Sequence, residues 1–217
     1  MKNKKYLYLS ISMLVLFVIW TVMLCFVDRE AIGPQESAVG FAAFNGFVHD
    51  LTGHNMWLYD VTDWFGLAPF AVCIVFAIFG VVQLIRRKSL SKVDYSIKAL
   101  GCFYIAVIAA YVLFEFVVIN YRPVLIEGKL EASYPSSTTL LMLCVMPTAI
   151  MQLNSRIKGK KLRLSINIVL VCFTAFMVIG RLVSGVHWVS DIIGGALLSA
   201  GLVLMYQHFV SSRKIKA

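Results

Sequence analysis

Residues 180–191 read GRLVSGVHWVSD. Arg181, His187 and Asp191 fall within eleven positions, where two long apolar runs meet. An ionisable side chain at the centre of a membrane helix costs about 2.5–3.5 kcal/mol even on lenient insertion scales. A chain that only had to cross lipid would place none of the three here, so the stretch points to chemistry. Ser184 and Gly185 form a helix stop, which makes the turn short and Arg181 a neighbour of His187. His187 and Asp191, four apart, share one face of the following helix. An aspartate behind a histidine fixes its tautomer and stabilises its cationic form, as suits a nucleophile or base.

The apolar runs around this stretch recur along all 217 residues, 60% of which are hydrophobic. That pattern predicts one all-α, polytopic membrane domain over residues 1–217. Six transmembrane helices are expected at about 6–27, 67–85, 96–120, 136–152, 163–183 and 189–210. The net charge of +9 is distributed by loop. Lys2, Lys4 and Lys5 precede the first span. Arg86, Arg87, Lys88, Lys92 and Lys98 cluster in one loop region, and Arg156, Lys158, Lys160, Lys161 and Arg163 in another. Arg213, Lys214 and Lys216 close the chain, so only Arg29, Arg122, Lys129 and Arg181 fall on the other side. The positive-inside rule then makes both termini cytoplasmic. The basic excess reads as a topology signal with anionic lipid head groups as partners, and not as a nucleic-acid surface.

The first span is too long for a signal peptide and lacks a small-residue cleavage site, so a retained helix is expected. With the small size, this suits a bacterial plasma membrane. All five cysteines (Cys25, Cys73, Cys102, Cys144, Cys172) fall inside spans, an odd and scattered set read as core positions. In the first external loop Phe41, Phe44, Phe47, Val48 and Leu51 share a helical face, which predicts an interfacial amphipathic helix. It would serve as an anchor or as a platform for lipid substrates. Met56, Trp57, Tyr59, Trp64 and Phe65 follow as an aromatic belt. Pro147 should kink the fourth span or end its regular ladder.

Three clusters share the external face. Arg122-Pro123 leaves the third span, Ser136-Ser137-Thr138-Thr139 enters the fourth, and Arg181, His187 and Asp191 bracket the last turn. Guanidinium forks match phosphate oxygens in two-point contacts. A hydroxyl-rich helix N-terminus adds free N–H groups and a positive dipole end. The residues alone therefore describe an anion cradle of Arg122, Arg181, Ser136, Ser137 and Thr138 beside an oriented histidine. Each piece also has a plain structural reading: hydroxyls as caps, Arg122 reaching for head groups, and Asp191 paired with Arg181.

These residues resemble the type 2 phosphatidic acid phosphatase superfamily, which includes the vanadium haloperoxidases. Its signatures are K-x(6)-R-P, P-S-G-H and S-R-x(5)-H-x(3)-D. Arg122-Pro123 matches the first, Pro135-Ser136 the second, and Arg181, His187 and Asp191 the third. The resemblance covers essentially the whole chain. It implies a lipid phosphatase in which His187 forms a phosphohistidine and Asp191 orients it. Arg122 and Arg181 would bind phosphoryl oxygens, Ser136 would add a contact, and no metal or other cofactor would be needed.

Three departures from the family pattern matter: Gly180 stands for the serine, Glu115 for the lysine, and Thr138 for the second-motif histidine. That histidine is the family's general acid. An alkoxide leaving group is strongly basic, its conjugate acid being about as weak as water. General acids contribute about 10²–10⁴-fold to its departure. A phosphate leaving group, of pKa about 6, needs none. The pattern thus implies either a lipid diphosphate, such as a polyprenyl diphosphate, or an acid borrowed from His49 or His54. His208 is expected at the cytoplasmic interface. A degenerate member that binds lipid phosphate without turnover, and transfer to an acceptor other than water, are the alternatives; a haloperoxidase does not fit a compact membrane chain without the acid histidine.

Overall fold

The computed structural model describes residues 2–214, with side chains from 4 to 212. The side chains of Lys2, Arg213 and Lys214, and all of Lys216, lie outside the described residues. Eight α-helices are described: α1 (Lys2–Phe26), α2 (Ala42–Thr52), α3 (Met56–Phe65), α4 (Ala68–Arg87), α5 (Tyr95–Phe116), α6 (Ser137–Asn154), α7 (Lys160–Val183) and α8 (Val189–Lys214). Six segments are long and apolar enough to cross a membrane: α1, the α3–α4 run, and α5 to α8. The expected all-α, six-span architecture is therefore present.

The bundle keeps its polar groups inside and its apolar ones outside, as a lipid solvent demands. Val15, Val18 and Val22 on α1 and Ile74, Val75 and Ile78 on α4 are exposed. α1 lies antiparallel to α8, because Ser10 Oγ donates to the Gly201 carbonyl at 2.7 Å and Trp20 Nε1 to the Ser190 carbonyl at 3.1 Å. The start of α1 and the end of α8 consequently lie at one end of the bundle. Without a hydrophobic force between helices in lipid, such bonds and close backbone approach hold them together. At Gly201 a Cβ would come within 2.6 Å of Leu14 Cδ2.

α6 is the central helix, buried along most of its length. It runs unbroken through Pro147, so the ladder does not end there as one sequence reading had it. Next to the proline, the Thr148 hydroxyl donates to the Cys144 and Val145 carbonyls at 2.8 and 3.0 Å. Of the cysteines only Cys144 is buried, while Cys102 and Cys172 face outward, so the core reading holds for one of five.

Two connections at the end opposite the termini build the site. α5 stops at Phe116, short of the expected end, and the chain then folds into a hairpin. It is pinned by bridges between Tyr121 and Ala132 and between Ile126 and Lys129. Glu127 and Gly128 both have positive φ, 50° and 74°, as a two-residue hairpin turn requires. The other connection contains α2 and α3. The expected amphipathic helix is α2, with Phe44, Phe47 and Leu51 exposed. Phe41 lies just before it and packs on Trp20, ring centroids 4.9 Å apart. Its opposite face buries Asn45, which donates to Ser190 Oγ at 2.9 Å and accepts from Ser190 N at 3.1 Å.

Candidate active site

The α7–α8 turn is shaped by Gly185. Its φ of +67° is open to glycine, and a Cβ there would lie 1.9 Å from the Gly53 carbonyl oxygen. Asn55 N donates to the Ser184 carbonyl at 2.9 Å, so the turn is clamped against the start of α3. The hairpin is tied to the same turn, since Trp188 Nε1 donates to the Tyr121 carbonyl at 2.7 Å. That bond sets Arg122 beside His187, across 65 residues of chain.

Arg122 Nη1 lies 3.3 Å from His187 Nε2. A guanidinium has only donors, so Nε2 is the acceptor and its lone pair faces the arginine. The ring proton is thereby left on Nδ1. His187 is 3% exposed, and burial, followed by the nearby charges of Arg122 and Arg181, holds its pKa well below the usual range. The imidazole is thereby held in its neutral form, with the Nε2 lone pair turned to the Arg122 guanidinium.

Asp191 sits where the four-residue spacing puts it, behind Nδ1, but its Oδ2 is 3.7 Å away, beyond a hydrogen bond. The same oxygen accepts from Trp188 N at 2.9 Å. As the third residue of α8 it reaches back to the capping position, half of a capping box. Asp191 is fully buried. Asp191 therefore holds the helix start and sets its carboxyl group behind the imidazole at once.

Arg181, 3% exposed, is fixed from two sides. Its Nε and Nη2 donate to Thr138 Oγ1 at 3.0 and 2.8 Å, and Nη2 also to Asp63 Oδ1 at 2.7 Å. Its Nη1 has no partner. Tyr59 covers both arginines, with its ring centroid 5.0 Å from Arg181 Cζ and 5.9 Å from Arg122 Cζ. Arg122 in turn pairs through Nε with Glu131 Oε2 at 3.1 Å, across the hairpin.

A cavity of about 610 Å³ opens here, lined by Arg122, Arg181, Ser137 and Thr138 together with Tyr59, Asp63, Tyr111, Glu115, Tyr121 and Glu131. Leu67, Phe70, Val118 and Leu141 add an apolar wall. His187 lines a small recess that shares Tyr111, Glu115, Ala132 and Ser137 with the cavity. The structure thus brings together Arg122, Ser137, Thr138, Arg181, His187 and Asp191. Ser136 is fully buried and does not line the cavity. Its Oγ accepts from Thr139 N at 3.4 Å and its N–H donates to the Asp191 carbonyl at 3.1 Å, so it serves the start of α6.

His49 and His54 do not line the cavity either. His49 packs on Trp188, with centroids 5.4 Å apart, and burial lowers its pKa; His54 is exposed. Gly180 has a packing reason, because a Cβ there would meet Thr62 Cγ2 at 2.8 Å, where α3 seats on α7. Tyr59, expected in the aromatic belt, lines the site, and so do Asp63 and Glu131, which the sequence did not single out. A carboxylate at Asp63, four residues from Tyr59 in an apolar stretch, was the signal available.

Residues 116–215 match the sequence profile of the PAP2 superfamily. No curated protein matches the chain at a significant level. Among solved structures, the chain is similar to the first transmembrane PAP2-type phosphatidylglycerolphosphate phosphatase from Bacillus subtilis. The TM-score is 0.64 over 94% of this chain and 97% of that one, at 20% identity, a likeness of fold. The resemblance read from the motifs is borne out, and the matched segment holds every motif position except Glu115.

Proposed function

We propose that this chain, whose C-terminal half matches the PAP2 superfamily, is an integral-membrane phosphatase that hydrolyses a lipid phosphate or diphosphate through a phosphohistidine at His187. The observation that carries the reading is the approach of Arg122 to within 3.3 Å of His187 Nε2, which puts an anion-binding group at the nucleophile's lone pair. Arg122, Arg181 Nη1, and the hydroxyls and first-turn N–H groups of Ser137 and Thr138 would hold the phosphoryl oxygens. The apolar wall would take the first part of the lipid chain.

In the first step His187 Nε2 attacks phosphorus and the bond to the leaving oxygen breaks. The imidazole becomes cationic, and Asp191, at 3.7 Å, balances that charge. Water then attacks the phosphohistidine, releasing inorganic phosphate and restoring the neutral ring. No step requires a metal. The basic loops at α4–α5 and α6–α7 lie at the opposite end of the bundle, which supports a cytosolic placement for them and an outer-face placement for the site. Thr138 spends its oxygen on Arg181 and replaces no general acid. The rival reading, binding without turnover, rests on that point.

The test is phosphate release by the purified protein in detergent. Release is expected to continue in excess chelator. Because a protonated ring cannot attack, kcat/KM should stay high at neutral pH and fall only as pH drops through a value well below the ordinary 6.5. The substrate's own ionisation, near roughly 6, is to be factored out. An enzyme acid limb at or above 6.5, or binding of lipid phosphate with no release, would overturn the proposal.

A further inference from the structure

Resting on the phosphatase reading, we infer that the preferred head group is a phosphomonoester bearing an ammonium group on the carbon next to the ester carbon. That ammonium supplies the leaving oxygen with a proton, a task that Thr138, which stands where the family has a histidine, does not perform. The charge inside the cavity is the starting point. Arg181 is matched by Asp63 at 2.7 Å and Arg122 by Glu131 at 3.1 Å. A third carboxylate, Glu115, lines the same cavity and also the recess of His187. Two guanidiniums therefore face three carboxylates.

A phosphate has its own place, because Arg181 is 3% exposed, lines the cavity and leaves Nη1 without a partner. A bare phosphate dianion would nevertheless enter a space already in excess of negative charge, and a diphosphate would worsen the imbalance. A ligand with a cation beside its phosphate satisfies both sets of groups. Asp63 and Glu131 are 56% and 41% exposed in their side chains, so both are open to a ligand. Tyr59, Tyr111 and Tyr121 line the same space, and aromatic faces attract ammonium groups.

The chemistry agrees with the charge. At Thr138 both Arg181 Nε and Nη2 donate to Oγ1, and its hydroxyl is no acid for an alkoxide. An ammonium one carbon from the ester carbon reaches the departing oxygen. When His187 Nε2 bonds to phosphorus, the P–O electron pair moves to the ester oxygen and the ammonium proton follows it. The products are a neutral amino alcohol and the phosphohistidine. Water then takes the phosphoryl group, and its released proton returns the amine to its ammonium form.

The experiment compares four lipids with the purified protein in detergent: 2-aminooctadecyl phosphate, its N-acetyl derivative, phosphatidate and farnesyl diphosphate. The first two differ in the nitrogen's charge. The ammonium form is expected to exceed the N-acetyl form in kcat/KM by about 10²-fold or more, the low end of what a general acid contributes. Glu115→Gln should bring the two towards parity, with its melting temperature confirming the fold. Equal or faster turnover of the N-acetyl form or of the diphosphate overturns the ammonium inference and leaves the phosphatase reading standing. No release from any of the four overturns both.

Discussion

His187→Ala is expected to lower phosphate release from a lipid phosphate by at least about 10³-fold, because a phosphoryl group with no nucleophile has only water to meet it. The fold should survive. Nε2 makes one contact, with Arg122, and Arg122 keeps its pairing with Glu131. Lipid phosphate should still bind, since both guanidiniums and the first turn of α6 remain. The loss should therefore appear in kcat, with KM little changed. A variant that keeps more than a tenth of the activity would remove the imidazole from the chemistry.

The second large effect is expected from Arg181→Lys. Arginine places Nε and Nη2 on Thr138 and Nη2 on Asp63, which leaves Nη1 for a ligand. A lysine keeps the charge but has one nitrogen where the fork had three, and it cannot reproduce the planar geometry. Loss of an oriented oxyanion donor costs about 10²–10³-fold, and a fall of this size in kcat/KM is expected. Since the charge is conserved, the melting temperature should shift far less than the activity. A fall of under about threefold would mean that Arg181 serves only to hold Asp63 and Thr138, well short of what an oriented donor contributes.

The parts of this site that were legible in the sequence are those set by short covalent spacing. GRLVSGVHWVSD defines a helix, a turn and a helix, and four residues on one helix face leave little freedom in where His187 and Asp191 lie. The six spans were legible because lipid imposes length and hydropathy on every crossing. Arg122 carried its signal as a cation leaving the third span on the external face and through the family pattern. What brings it to His187 is a hairpin and a Trp188–Tyr121 bond, neither of which leaves a periodicity to read. Tyr59 and Asp63 were hidden in an aromatic stretch, where an interfacial belt is the ordinary explanation. α3 nevertheless turns Tyr59 inward while Trp57 and Trp64 stay exposed. A serine at a helix start can face a ligand or cap the helix, which sequence does not separate; Ser136 caps α6 at its buried junction with α8.

The central claim is that the phosphoryl group passes onto one nitrogen of one imidazole. Rapid acid-free quenching of the purified protein with ³²P-labelled lipid phosphate, followed by peptide mapping, reads this directly. The account predicts an acid-labile, alkali-stable phosphate on the peptide containing His187, formed and lost at rates matching turnover and missing in His187→Ala. Turnover in which label never appears on that peptide, or appears on another residue at the kinetically competent rate, would contradict it.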